Sequence, residues 1–224
     1  LTKKTVNDTR VTSYAYDANG NLTSLTNALG QTETKKYDNM NRLVQETDAT
    51  GAKTTYQYDG KGQLLSSTDG NGNTTAVAYD GNGNVISVTD GEGRQVRYAY
   101  DLADRLTEAM AGDASYENRN TYTYDEVGNL TSTTDGNGNK MTYTYDLLSN
   151  QTSRTNALGE TESYSYNLNN RLEKITRPNG NTIQYDYNKL DALLQTDYSE
   201  EADGQVLYTY DEEGKRLSMS DLTG

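Results

Sequence analysis

The sequence predicts an all-β fold: a repetitive antiparallel β-hairpin meander that curls into an open spiral or a sector of a hollow shell. Three observations carry this prediction. The dipeptide Tyr-Asp or Tyr-Asn recurs ten times at nearly constant spacing. Tyr and Thr, which favour strands, gather just before each copy. Residues that tolerate a left-handed backbone follow each copy at a fixed offset.

The copies stand at Tyr16-Asp17, Tyr37-Asp38, Tyr58-Asp59, Tyr79-Asp80, Tyr100-Asp101, Tyr124-Asp125, Tyr145-Asp146, Tyr166-Asn167, Tyr187-Asn188 and Tyr210-Asp211. Their successive spacings are 21, 21, 21, 21, 24, 21, 21, 21 and 23 residues, so residues 1–224 read as a single array of repeats. The chain opens at Leu1 rather than Met, and both ends are expected to be cuts within a longer array.

Each period divides into strand, turn, strand, turn. In the first strand Tyr-x-Tyr, as at Tyr122-Thr123-Tyr124, puts two rings on one face of an extended chain. Four residues after the motif Tyr comes Gly20, Asn41, Gly62, Gly83, Asp104, Gly128, Ser149, Asn170, Asp191 or Gly214. This offset predicts a type I turn closed by a left-handed residue. A second strand carries an aliphatic residue six positions after the Tyr, from Leu22 to Leu193, with Gln151 and Arg216 as departures. It ends at Thr-Asp or Thr-Asn, and a second turn follows with Gly fourteen after the Tyr, from Gly30 to Gly224. No stretch keeps a helical period, so about 20 strands are expected. Strands about 4.8 Å apart advance about 9.6 Å per repeat. An open sheet rarely exceeds about ten strands without curling.

The composition fits neighbour-to-neighbour packing better than a central core. There are 20 Tyr but no Phe, Trp, His or Cys, and Leu, Ile, Val and Phe together make up about 15% of the chain. That share, with a formal net charge of −13, would suit a disordered chain. Register held over ten copies argues instead for units that bury themselves against one another. Tyr suits this role, since its ring brings contact area while its hydroxyl meets water or a polar partner.

Several function classes are excluded or disfavoured. Without His or Cys there is no Ser-His-Asp triad, no Cys nucleophile, no His- or Cys-ligated metal and no disulfide. The acidity disfavours nucleic acid and anionic surfaces, and no apolar run is long enough to insert into a membrane. No cofactor is expected. Asp69, Asn71, Asn73 and Asp80, and likewise Asp135, Asn137, Asn139 and Asp146, imitate part of a calcium loop. Thr74 and Lys140 stand where such a loop needs Gly, so these residues read as turn formers bonding their own backbone. The acids recur at turn positions rather than as an exceptional pair, and no enzyme is expected. The fifth interval is lengthened around Ala109 to Asn120 and the ninth around Tyr198 to Gln205, with the off-register Tyr116 and Tyr198. These read as loop-length variation.

The unit Tyr-Asp-x-x-Gly-Asn-Leu-x-x-x-Thr-Asp-x-x-Gly, nearly complete at Tyr124 to Gly138, resembles the YD repeat of the Rhs family. The resemblance covers essentially the whole chain. The structural motif it carries comprises Tyr16, Asp17, Gly20, Tyr58, Asp59, Gly62, Tyr79, Asp80, Gly83, Tyr100, Asp101, Tyr124, Asp125, Gly128, Tyr145, Asp146, Tyr166, Tyr187, Tyr210, Asp211 and Gly214. Similar arrays occur in bacterial polymorphic toxins, the cocoon component of Tc toxin complexes, wall-associated proteins and teneurins. The resemblance implies a β-ribbon wound into a hollow shell that encloses a C-terminal toxin or passenger of the same polypeptide, in a secreted or surface protein. The family's Asp-Pro-x-Gly-Leu-type release motif is absent, since the single Pro, Pro178, lies in an ordinary repeat turn. A surface module binding neutral glycans through Tyr, Asn and Asp is the alternative. Unpaired sheet edges predict edge-to-edge self-association.

Overall fold

The computed structural model describes residues 2–5, 11–112, 118–199 and 204–221. Tyr116, residues 200–203 of the ninth-interval insertion, and Gly224 lie outside the described residues. Among the described residues the regular elements are β-strands, and the chain forms two compact units, Leu1–Arg119 and Asn120–Gly224.

The first unit contains β1 (Thr2–Thr5), β2 (Val11–Tyr16), β3 (Leu22–Thr26), β4 (Thr32–Tyr37), β5 (Leu43–Thr47) and β6 (Lys53–Tyr58). It continues with β7 (Leu64–Thr68), β8 (Thr74–Tyr79), β9 (Val85–Thr89), β10 (Gln95–Tyr100) and β11 (Leu106–Ala111). Each strand pairs antiparallel with the next in the chain. The second unit runs from β12 (Arg119–Tyr124), which begins on the last residue of the first unit, through β13 (Leu130–Thr134), β14 (Lys140–Tyr145), β15 (Gln151–Thr155) and β16 (Thr161–Tyr166). It ends with β17 (Leu172–Thr176), β18 (Thr182–Tyr187), β19 (Leu193–Tyr198), β20 (Gln205–Tyr210) and β21 (Arg216–Asp221), again paired in chain order. Among the described residues these ladders join only chain neighbours, so each unit is an open, unclosed meander.

The register repeats along with the sequence. In β2 and β3, Ala15 faces Ser24 while Tyr16 faces Leu22, so Thr23 is the extra residue of a bulge. The same shift occurs at Tyr58 with Leu64 and at Tyr145 with Gln151. On the other side of each second strand the ladder is shorter. Between β3 and β4 it covers only Ser24, Leu25 and Thr26 opposite Thr34, Glu33 and Thr32. Adjacent repeats are therefore zipped near one turn and leave backbone groups without ladder partners near the other.

Burial alternates with a period of two, as the strand geometry requires. In β8, Thr75, Val77 and Tyr79 are half-buried while Thr74, Ala76 and Ala78 are exposed. In β6, Thr54, Tyr56 and Tyr58 are half-buried on the ring-bearing face. Neither unit has a conventional core. Among the described residues only Ile183, Ser132 and Thr196 fall to 9% exposure or less. Order must then come from bonds between neighbouring repeats.

Candidate functional site

The feature that recurs throughout the chain is the joint between one repeat and the next. It has three parts, each built on a particular residue type.

The first part is the turn. Asp17 accepts hydrogen bonds at Oδ1 from the backbone N–H of Asn19 (3.0 Å) and of Asn21 (2.8 Å), while Gly20 N–H donates to the Asp17 carbonyl (3.2 Å). Asp59, Asp80, Asp101, Asp125, Asp146 and Asp211 repeat this pattern with their own second and fourth followers. The second turns opened by Asn27, Asp48, Asp69, Asp90, Asp135 and Asn156 have the same construction, as Asp69 shows with Asn71 (2.9 Å) and Asn73 (2.9 Å). Short polar side chains thus imitate a backbone turn. The third position after the Asp or Asn has positive φ in all ten first turns. It is Gly at Gly20 (87°), Gly62 (90°), Gly83 (100°), Gly128 (99°) and Gly214 (81°), and Asn, Asp or Ser at Asn41 (60°), Asp104 (59°), Ser149 (64°), Asn170 (62°) and Asp191 (63°).

These bonds favour the ionised form of Asp17, Asp38, Asp69 and Asp135. The Asn21 side-chain amide, then its backbone N–H, holds Asp17 below the usual carboxylate value. For Asp38 the Arg42 backbone N–H contributes most, and the guanidinium adds to it. Asn73, through its side chain first, does the same for Asp69, and Asn139 for Asp135. The calcium-like residues Asp69 and Asp135 therefore spend their oxygens on their own turns: Asn73 Nδ2 donates to Asp69 Oδ2 (2.9 Å) and Asn139 Nδ2 to Asp135 Oδ2 (2.8 Å).

The second part is a tyrosine clip. Tyr37 donates its hydroxyl to the Leu22 carbonyl of the preceding repeat (3.0 Å), where the β3–β4 ladder has already ended. The same bond joins Tyr58 to Leu43, Tyr79 to Leu64, Tyr100 to Val85, Tyr145 to Leu130, Tyr166 to Gln151, Tyr187 to Leu172 and Tyr210 to Leu193, at 2.8–3.0 Å. A buried carbonyl needs a donor, and the ring spans the gap to supply one. The acceptor is backbone, which is why Gln151 serves as well as Leu. Tyr16, in the first repeat, is 47% exposed.

The third part is a latch between successive turns. Asn19 Nδ2 (3.0 Å) and Asn21 Nδ2 (2.8 Å) both donate to Asn41 Oδ1 of the next turn. Asn82 (2.8 Å) and Asn84 (2.7 Å) do so to Asp104, Asn150 to Asn170, and Asn169 to Asp191 (3.2 Å). Arg42 adds a bridge: its Nε meets Asp38 Oδ2 (2.7 Å), its NH1 donates to the Asp59 carbonyl (2.8 Å), and its guanidinium lies 4.9 Å from the centre of the Tyr58 ring. Arg171 pairs similarly with Asp191 (2.9 Å) beside Tyr187.

The second Tyr of the motif has a different environment. Tyr56 donates to Glu46 Oε1 (2.6 Å) and Tyr164 donates to Glu162. The Glu46 hydrogen bond pushes Tyr56 up to about 12, and desolvation followed by the Glu162 bond does the same for Tyr164. Of the two insertions, the second is described at Tyr198, 39% exposed, whose N–H donates to the Gly204 carbonyl (2.7 Å).

The sequence pointed to the motif residues but not to their partners across the joint. The signal for the latch is present in it: Asn stands five residues after the motif Tyr at Asn21, Asn84 and Asn150. The clip acceptor left no side-chain signal, because it is a carbonyl. Gly91 was also missed; a Cβ there would lie 2.6 Å from Asn73 Cβ of the preceding second turn.

This architecture matches known proteins. Crystal structures of TcdB2-TccC3 superpose with TM-scores of 0.66 and 0.64 at 18% identity, covering 98% of this chain and 14% of theirs. The Tc holotoxin pore of Photorhabdus luminescens gives a TM-score of 0.58 at 19% identity, over 95% of this chain and 13% of that one. The chain thus spans about one seventh of the length of the solved chains it resembles. No curated protein matches it. The RHS Repeat model matches residues 1–32, 16–53, 37–74, 79–113 and 124–161, more than half of the sequence, and the chain belongs to the RHS Repeat family.

Proposed function

We propose that the chain is a non-catalytic stretch of wall, one continuous array of about ten repeats, in a secreted or surface protein whose repeats enclose a C-terminal toxin or passenger. The observation that carries this reading is the joint. Turn, clip and latch bind each repeat to its neighbours, so the sheet needs no core and both of its faces remain available. A wall requires that property, whereas a catalytic domain needs a packed pocket. The fold shared with TcdB2-TccC3 supports the reading. The motif residues act in it as structural parts, and a fragment cut from such an array would associate edge to edge through its unpaired strand edges.

The test uses the full protein that carries these repeats. A passenger inside an intact wall resists added protease, and becomes cleavable when Tyr58, Tyr79 and Tyr100 are all replaced by Ala. A passenger cut equally fast with and without the clips overturns the proposal.

A further inference from the structure

Five Asn-Gly pairs lie in the turns, at Asn19-Gly20, Asn71-Gly72, Asn82-Gly83, Asn137-Gly138 and Asn179-Gly180. The joint treats their carboxamides differently. Asn19 Nδ2 is held by Asn41 and Asn82 Nδ2 by Asp104. Asn179 Oδ1 accepts the Asn181 backbone N–H (3.0 Å). The side chains of Asn71 and Asn137 are exposed and make no hydrogen bond among the described residues, although their backbone N–H groups are held by Asp69 and Asp135. The reason is positional. Both lie in second turns, where no latch crosses to the following repeat.

We infer that Asn71 and Asn137 are sites of spontaneous covalent modification, deamidating through a cyclic imide, and that the latch protects Asn19 and Asn82 from the same reaction. The glycine amide nitrogen gives up its proton to solvent base and bonds to the asparagine Cγ. The Cγ–Nδ2 bond breaks and ammonia leaves, carrying a proton from water. Water then opens the five-membered imide at either carbonyl, leaving an aspartyl or an isoaspartyl linkage. No oxidant or reductant takes part.

Two groups must be freed for attack. The nucleophile is tied in every turn: Gly72 N–H donates to Asp69 O and Gly138 N–H to Asp135 O (both 3.0 Å), against 3.2 Å for Gly20, while Gly83 N–H donates to both Asp80 O (3.3 Å) and Asp80 Oδ1 (2.8 Å). That difference taken alone ranks Asn19 as the fastest site. The electrophile reverses the ranking, because at Asn19 and Asn82 the carboxamide must also leave its acceptor on the next turn before it can rotate. The isoaspartyl product adds an atom to the backbone inside a turn whose ends are joined by the Asp69 N–H to Asn73 carbonyl bond (3.0 Å). Ageing would therefore loosen the sheet first at these two second turns.

The experiment is a time course of the folded chain at mildly alkaline pH and physiological temperature, read by peptide mass spectrometry and by isoaspartyl methyl-transfer labelling. Asn71 and Asn137 are expected to convert about five-fold or more faster than Asn19 and Asn82, the ratio of one modest hydrogen bond. In denaturant the four rates converge. Asn41→Gly, which removes the latch acceptor, raises the Asn19 rate towards that of Asn71, and Asp104→Gly does the same for Asn82. Tyr37→Phe, which loosens the same joint without touching the carboxamide, leaves Asn19 slow. Equal rates in the folded chain, faster conversion at Asn19 and Asn82, or an Asn19 rate unmoved by Asn41→Gly overturns the inference.

Discussion

Two joints in the first unit share one plan and differ at the left-handed position and in the side chains that reach towards it. Between the first and second repeats, the left-handed position is Asn41, and two amides, Asn19 and Asn21, converge on its Oδ1. Between the third and fourth repeats it is Gly83, and the neighbours reach only backbone: Gln63 Nε2 to the Gly83 carbonyl (3.3 Å) and Lys61 Nζ to the Gly81 carbonyl (3.1 Å). Glycine enters the left-handed region without strain and offers no side chain to grasp. Asparagine accepts some backbone strain and gains two cross-repeat bonds. Both joints keep the tyrosine clip, Tyr37 to Leu22 and Tyr79 to Leu64. The clip is thus the element common to both joints, and the latch is the adjustable one.

The largest perturbation acts on both of these joints together. Asp17, Asp38, Asp69 and Asp135 have folded-state pKa values below their ordinary ones. Their contribution to stability is complete above about pH 4, the unfolded carboxylate value, and is lost as pH falls through the lower folded values. Acid titration followed by circular dichroism should show loss of β-structure below about pH 4, with both joints failing together. Survival of the sheet at lower pH would show that the turn carboxylates are dispensable.

Removing a whole clip comes next. Tyr37→Ala and Tyr79→Ala should each destabilise by about 2–3 kcal/mol in denaturant unfolding, the lower end for large aromatic deletions because the rings are half-buried. Equal losses at the two joints sharpen the comparison; a much larger loss at Tyr79 would mean that the Asn41 latch supports its joint unaided. Gly91→Ala brings a methyl group against Asn73 and should lower stability by about 1–3 kcal/mol through overpacking. Tyr37→Phe and Tyr79→Phe retain the ring and should lose about 1 kcal/mol each, the value of one hydrogen bond. The smallest effect belongs to Asn41→Gly, where relief of backbone strain offsets the lost latch to within about 1 kcal/mol. At the alkaline end, Tyr56 is held up to about 12 beside Glu46. Stability from that pair is complete below about pH 10 and lost as pH rises through the folded value, visible as late tyrosinate absorbance.

Much of this could be read from the repeat. Spacing and residue type located the hairpins, and the left-handed residue four after each motif Tyr has positive φ at every first turn. The turn reading of Asp69 and Asp135 follows from the same chemistry, since a short carboxylate next to free N–H groups folds back on them. The bulge at Thr23 was not legible, because alternation says which face a residue takes but not where the ladder slips. The clip was not legible either. Its acceptor is a carbonyl fifteen residues away, and a carbonyl looks alike under Leu22 and Gln151.

The sequence alone determined the period, the strand-and-turn alternation and the positions of the rings, because these depend on local backbone preferences repeated in register. Only the tertiary structure decided what the rings and amides bind, because that depends on the separation of neighbouring strands beyond the point where their ladder ends. There a tyrosine is long enough to reach the part-buried carbonyl, and an asparagine on one turn reaches the side chain of the next.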